Sequence, residues 1–215
     1  MADQIVETLR PISTGLSGAW SAQGAASIHL ATDEVTHDSD TTYARFRQVS
    51  AVEVGSDSGS STFRVAVDSP TTFDIPAVRD AGSWKDELAR WVRDAGAWKR
   101  PKAGWIRDGG VWKPALLQAR ITAVAKYVET IGTGSADLKL TLKDGASTII
   151  RAGGAAAQST SYAETTLVCT YDDVTTQEVD WSNFQIEVFG ECFSDAGSTI
   201  DLHVTQLYVD LYVPA

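Results

Sequence analysis

Cysteine, histidine and methionine are scarce in this chain: two, three and one among 215 residues. Two cysteines cannot build a disulfide framework, and with so few histidines they leave too few ligands for a zinc cage. Cys169 and Cys192 sit in the apolar stretches TTLVCTY and VFGECFS and read as buried thiols. A bridge between them would need an oxidising environment after assembly. Basic charge is also short, with 18 Lys and Arg against 28 Asp and Glu for a net charge of -10. Such a surface repels a phosphate backbone, so nucleic acid is not an expected partner. No segment approaches the roughly 20 apolar residues of a membrane span. The opening MADQIVETLR lacks the basic stretch and apolar run of a signal peptide, so synthesis and folding in a cytoplasm are expected, without membrane insertion.

What the chain does have is Ala, Val, Thr, Ser and Gly, a composition that favours strands and turns. Its length suits one medium domain, or one domain carrying a small module. Leu138, Leu140 and Leu142 alternate with Lys139, Thr141 and Lys143, the period of a strand with one buried face. In TIDLHVTQLYVDLYV the apolar positions Ile200, Leu202 and Val204 alternate, and then the phase slips to Leu207, Val209, Leu211 and Val213. That slip predicts a β-bulge near Thr205 and Gln206. Further strands are expected at FRVAV from Phe63, RITAVAKYVE from Arg120, ETTLVCTY from Glu164 and FQIEVFG from Phe184. Strands at this spacing, divided by turns rich in Gly, Ser and Asp, predict an all-β fold: an antiparallel sandwich or jelly roll.

The middle of the chain differs from both flanks. Residues 77–114 hold nine of the eighteen Lys and Arg and five of the seven Trp, so a basic stretch interrupts an acidic protein. The expected organisation is a discontinuous sandwich, 1–76 with 115–215, interrupted by an inserted module at 77–114. Within it VRDAGSWK, VRDAGAWK and IRDGGVWK recur every 14 residues, with Trp84, Trp98 and Trp112 in register and Trp91 and Trp105 just before the second and third copies. Each copy reads as a β-hairpin. The recurring Gly82, Gly96 and Gly110 suit a three-residue connection closed by a residue with positive φ. That register would group Trp98 with Val92 and Trp112 with Ile106. Trp91 would join Arg93 and Lys99, and Trp105 would join Arg107 and Lys113. A two-residue Asp-Gly turn would instead pair Trp105 with Trp112. Trp91, Trp98, Trp105, Trp112, Arg93, Arg107, Lys99 and Lys113 are therefore the candidate interaction surface. They serve either by filling small hairpin cores and a subunit interface, or by stacking on sugar rings beside cations.

Catalysis is not expected, and no cofactor or metal is implied. His29 lies in an apolar stretch, His37 in an acidic loop and His203 in an alternating strand; GSDSG from Gly55 matches a nucleophile elbow only in composition. The acid pairs Asp33–Glu34 and Asp172–Asp173 lack the ligand spacing of a calcium loop, and GGAAAQST from Gly153 lacks the lysine of a phosphate loop.

The opening ETLRPISTGLSGAWS, followed by DTTYARF, VDWSNFQIEVFG and VTQLYVDLYV, resembles the jelly-roll structural proteins of tailed bacteriophages. The WVRDAGAWK and WIRDGGVWKP repeats resemble modules of phage tail and fibre proteins. The resemblance implies a non-catalytic component of the particle, displayed on the tail or head and touching the host surface; the expected role is tail- or fibre-associated, beside other virion proteins, and the unsupported hairpins and Trp row predict association with further copies of itself. A host-surface glycan is a further candidate partner, and a capsid decoration or head-fibre role is the other alternative.

Overall fold

The computed structural model describes residues 4–35, 41–51, 55–68, 77–80, 83–86, 92–94, 97–99, 105–108, 111–114, 118–169 and 184–213. Two six-stranded antiparallel sheets face each other across one core. In the first, β16 (Ala163–Cys169), β12 (Gln118–Ile131) and β18 (Thr199–Val213) lie side by side. The far edge of β18 is shared: β4 (Tyr43–Val49) pairs with Thr199 to Val204, and β1 (Gln4–Leu9) pairs with Val209 to Val213. A short β3 (Ser21–Gln23) lies beyond β4. The second sheet runs β13 (Gly134–Lys143), β17 (Gln185–Ser194), β5 (Asp57–Val67) and β2 (Pro11–Leu16), with β14 (Ile149–Ala152) and β15 (Ala156–Ala157) on the outer edge of β13. The long strands alternate between sheets along the chain, β4, β12, β16 and β18 in one and β5, β13 and β17 in the other. This interleaving is that of a jelly-roll sandwich.

Each strand read from the alternation is present. Leu138, Leu140 and Leu142 are buried in β13, and Phe63, Val65 and Val67 in β5, where alternate residues face the opposite sheet. Thr170 and Tyr171, at the end of the expected ETTLVCTY strand, lie outside the described residues. A short helix, α1 (Ile28–Thr32), was not expected. Its N-cap Ser27 has an extended backbone, and Ile28, Ala31 and Thr32 bury one side of the turn.

The bulge is where the phase slip placed it. Val124 pairs with Gln206 and Ala125 with Val204, leaving Thr205 as the extra residue. Its consequence reaches both edges of β18. Pairing with β4 ends at Val204, Asp33 at the end of α1 bridges Gln206, and pairing with β1 begins at Val209. From Thr199 to Tyr212 every residue of β18 except Tyr208 is buried, so this strand has no solvent face.

Trp20 joins the sheets. Its ring stands edge-on to Phe63 of the second sheet at 4.9 Å and lies 5.7 Å from Phe46 of the first, while Nε1 donates to the Ser61 carbonyl at 3.1 Å. The indole fits because position 190 is glycine: a Cβ there would lie 2.5 Å from Trp20 Cζ2 and 2.7 Å from Leu202 Cδ2. Cys169 of the first sheet and Cys192 of the second are both fully buried, and no disulfide joins them. Burial, then the nearby charges of Asp201 and Glu191, pushes the Cys192 thiol up to about 12.

Two outcomes follow from this packing. Gly190→Ala is expected to lower the unfolding free energy by about 1–3 kcal/mol, the usual cost of forcing an extra carbon into a filled core; urea titration followed by Trp fluorescence measures it, and an unchanged midpoint would contradict the close approach. Native protein at pH 8 is expected to expose almost no thiol to Ellman's reagent, and both thiols after denaturation in guanidinium.

Candidate functional site

The insert contains β6 (Ala77–Asp80), β7 (Ser83–Asp86), β8 (Val92–Asp94), β9 (Ala97–Lys99), β10 (Trp105–Asp108) and β11 (Val111–Pro114). They form three separate two-stranded ladders, as the repeat predicts. The register corrects both expected forms. Asp80 pairs with Ser83, Asp94 with Ala97 and Asp108 with Val111, so two residues connect each hairpin rather than three. A two-residue connection matches the right-handed twist of its flanking strands, which favours it over the longer turn. Each arginine now pairs with the tryptophan of its own repeat: Arg79 with Trp84, Arg93 with Trp98, Arg107 with Trp112. Lys99 and Lys113 pair with Val92 and Ile106, and Trp105 pairs with Pro114 rather than with Trp112. Trp91 lies outside the described residues, as do His37, Asp172 and Asp173.

The outward face of β18 is polar and largely tied to its own neighbours. Arg47 donates from Nε to Asp201 Oδ1 at 2.7 Å and from Nη2 to Oδ2 at 2.6 Å, and Thr130 Oγ1 donates to the same Oδ2 at 3.3 Å. Burial alone pushes the Asp201 carboxyl up. The Arg47 hydrogen bonds and charge, with Arg45 and His203 nearby, outweigh it and hold the group below the ordinary carboxylate range. The His203 ring stacks on Tyr43 at 4.1 Å. Arg10 lies over Tyr208 at 5.0 Å, Arg120 over Tyr212 at 5.1 Å and Lys126 over Tyr162 at 4.4 Å. Thr8 donates to Asp210 at 2.6 Å. These contacts seal the central strand.

The remaining sequence candidates are likewise tied into the fold. His29 Nδ1 lies 2.9 Å from Ser27 Oγ and 3.2 Å from Thr14 Oγ1, which anchors α1 to β2. The Glu34 carbonyl accepts from Arg10 and Gln206, and its carboxylate accepts from Thr42.

A different arrangement lies at one end of the second sheet, where a concavity of about 570 Å³ opens among three strand termini. Two register rows build it. Ser135, Phe193 and Ser58 lie side by side across β13, β17 and β5, and next to them run Gly134, Ser194 and Asp57. Asp195 follows β17, Thr133 precedes β13 and Ser56 precedes β5. The fold holds both carboxylates: Thr133 Oγ1 donates to Asp195 Oδ2 at 2.6 Å, and Gln48 Nε2 donates to Asp57 Oδ2 at 3.1 Å. The Ser58 amide holds Asp57 Oδ1 at 2.8 Å. Phe193 is 38% exposed. A Cβ on Gly134 would lie 2.2 Å from the Phe193 carbonyl oxygen, so glycine lets these strands meet closely. GSDSG, a weak nucleophile-elbow match, supplies Asp57 and Ser58; its partners come from turns far away in sequence.

No known protein family matches the chain, and no curated protein matches it. Among solved structures, TmCBM61 in complex with β-1,4-galactotriose aligns over 93% of this chain and 89% of its own, at 10% identity and a TM-score of 0.38. The CBM22-1 xylan-binding domain of Xyn10C from Paenibacillus barcinonensis aligns over 100% and 98%, at 8% identity and a TM-score of 0.37. The enzymatically active domain of tailspike protein 4 of bacteriophage CBA120 aligns over 97% of this chain and 20% of its own, at 10% identity and a TM-score of 0.34. No site residue is carried over from them.

The Arg47–Asp201 pair makes stability pH-dependent with a definite sign. The carboxyl titrates lower in the folded chain than in the unfolded one, so the native state binds fewer protons. Its contribution is complete above the unfolded value near 4 and is lost as pH falls through the folded value. Asp201→Asn is expected to cost about 1–3 kcal/mol at pH 7, with the gap to wild type closing as pH drops below about 4. Urea midpoints at pH 7 and pH 3 measure both; a gap that stays constant would remove the pair as its source.

Proposed function

We propose that the protein is a non-catalytic structural component of a tailed-bacteriophage particle, tail- or fibre-associated, which assembles through the hairpins of residues 77–114. The observation that supports this is the set of three two-stranded ladders with the same Arg–Trp pairing, lying in the chain between β5 of one sheet and β12 of the other. A two-stranded ribbon has two open edges and is marginal by itself in water. Three in series, each with a large aromatic residue opposite a cation, gain most by docking on another surface. The sandwich then serves as the stable block and the insert as the connector to a second copy or to another virion protein.

The test compares the intact chain with a version whose residues 77–114 are replaced by a short Gly-Ser linker, by light scattering and far-ultraviolet circular dichroism. The intact chain is expected to be a defined oligomer and the shortened one a folded monomer. An intact monomer, or an oligomer that survives the deletion, overturns the assembly role. Glycan binding that disappears with Trp105→Ala while the oligomer persists would replace it with a host-surface receptor role for the same insert.

A further inference from the structure

We infer that the concavity at Phe193 is a binding site for a neutral saccharide, separate from the insert. The inference goes beyond the assembly reading and does not depend on it. Its first support is the aromatic ring. Phe193 stands on β17 with 38% of its surface open, at the edge of a hollow large enough for one sugar ring or two. The part of the phenyl ring left open beside the hollow is an apolar platform that fits the C–H face of a pyranose.

The second support is the polar rim. The Asp57 and Asp195 carboxylates each have about four acceptor positions, of which the fold uses two on Asp57 and one on Asp195. A carboxylate whose other acceptor positions are open can receive both hydroxyls of a vicinal diol, much as it receives the two donors of an arginine fork. Ser56, Ser58 and Ser135 line the same hollow, and their hydroxyls make no side-chain hydrogen bond among the described residues. They are donors and acceptors on hand for ring and hydroxyl oxygens. The rim is thus an alternation of acceptors and rotatable hydroxyls around one apolar platform.

Charge sets the class of sugar. Asp57 and Asp195 lie in the hollow, and Asp137 and Glu191 form the next outward row along the same strands. A uronic or sialic acid would meet like charge at close range, and a phosphorylated sugar more so. The ligand is therefore an uncharged hexose or pentose unit of an oligosaccharide. The scaffold is rigid enough to select it. Both register rows belong to continuous ladders, and Thr133 is fixed at both ends, its amide donating to Ser198 Oγ at 3.0 Å and its hydroxyl to Asp195.

The experiment uses the full chain, labelled with nitrogen-15, titrated with cello-, xylo-, galacto- and chito-oligosaccharides and, as the charged control, oligogalacturonate. At least one neutral series is expected to bind with a dissociation constant on the order of 10⁻⁴ to 10⁻³ M and to shift the amides of 56–58, 133–135 and 193–195. Phe193→Ala should weaken it at least about tenfold while the chain keeps the far-ultraviolet circular dichroism of the folded protein. Phe193→Trp should retain it. Asp195→Asn should weaken it less, and oligogalacturonate should bind at least about tenfold more weakly than the neutral ligand. Absence of binding across the neutral series, shifts confined to other residues, or binding indifferent to Phe193→Ala would each overturn the site. Because the insert is elsewhere in the chain, the linker-replaced form should bind the same sugar, and loss of oligomer formation leaves this result unaffected.

Discussion

Strand β18 is buried on both faces over most of its length, and a backbone in that position must have its N–H and C=O groups paired by neighbours. The long ladder to β12 supplies one edge. The other edge is longer than any single remaining strand of the sheet and is filled by β4, Asp33 and β1 in succession. Thr205, the extra residue, falls where one partner gives way to the next. The bulge lets a fifteen-residue strand keep its apolar side inward while the partners on its far edge change.

The outward side of β18 then has to be closed with polar and aromatic groups. Asp201, His203, Gln206 and Asp210 occupy those positions, and each is engaged by a neighbouring strand or by the α1 segment. An unpaired buried group there would cost about 1–3 kcal/mol. Two residues weighed in the sequence take their setting from these contacts. His203 is a stacking partner of Tyr43, and Glu34 belongs to a knot of hydrogen bonds joining Arg10, Thr42 and Gln206. Among the described residues, the outward side of the second sheet is only half-covered, and there Glu187 receives Lys143 at 2.6 Å and Arg64 at 3.2 Å in a partly exposed network. The open hollow at Phe193 belongs to this less covered sheet.

Periodicity made most of the strands legible, because burying one face of a sheet imposes an alternation that survives in the residue order. The phase slip at Thr205 was legible for the same reason. The hairpin register was not. DAG and DGG allow either a two- or a three-residue connection, and the choice depends on strand twist and pairing rather than on residue identity. The Phe193 hollow was hidden too, because its residues come from three strand ends more than fifty residues apart in sequence, and none of those ends carries a distinctive motif by itself.

Residue order alone therefore determined the all-β class, the places of the long strands, the bulge, the buried thiols and the threefold repeat from Val78 to Lys113. Each of these depends on a local period or on composition. Tertiary structure alone decided which strands became neighbours, that Arg47 would meet Asp201 across 154 positions, and that Phe193 would stand beside Ser58 and Ser135. Those juxtapositions arise from long-range strand pairing, in which contacts are fixed by sheet order and register, and neither is written in the neighbourhood of the residues involved.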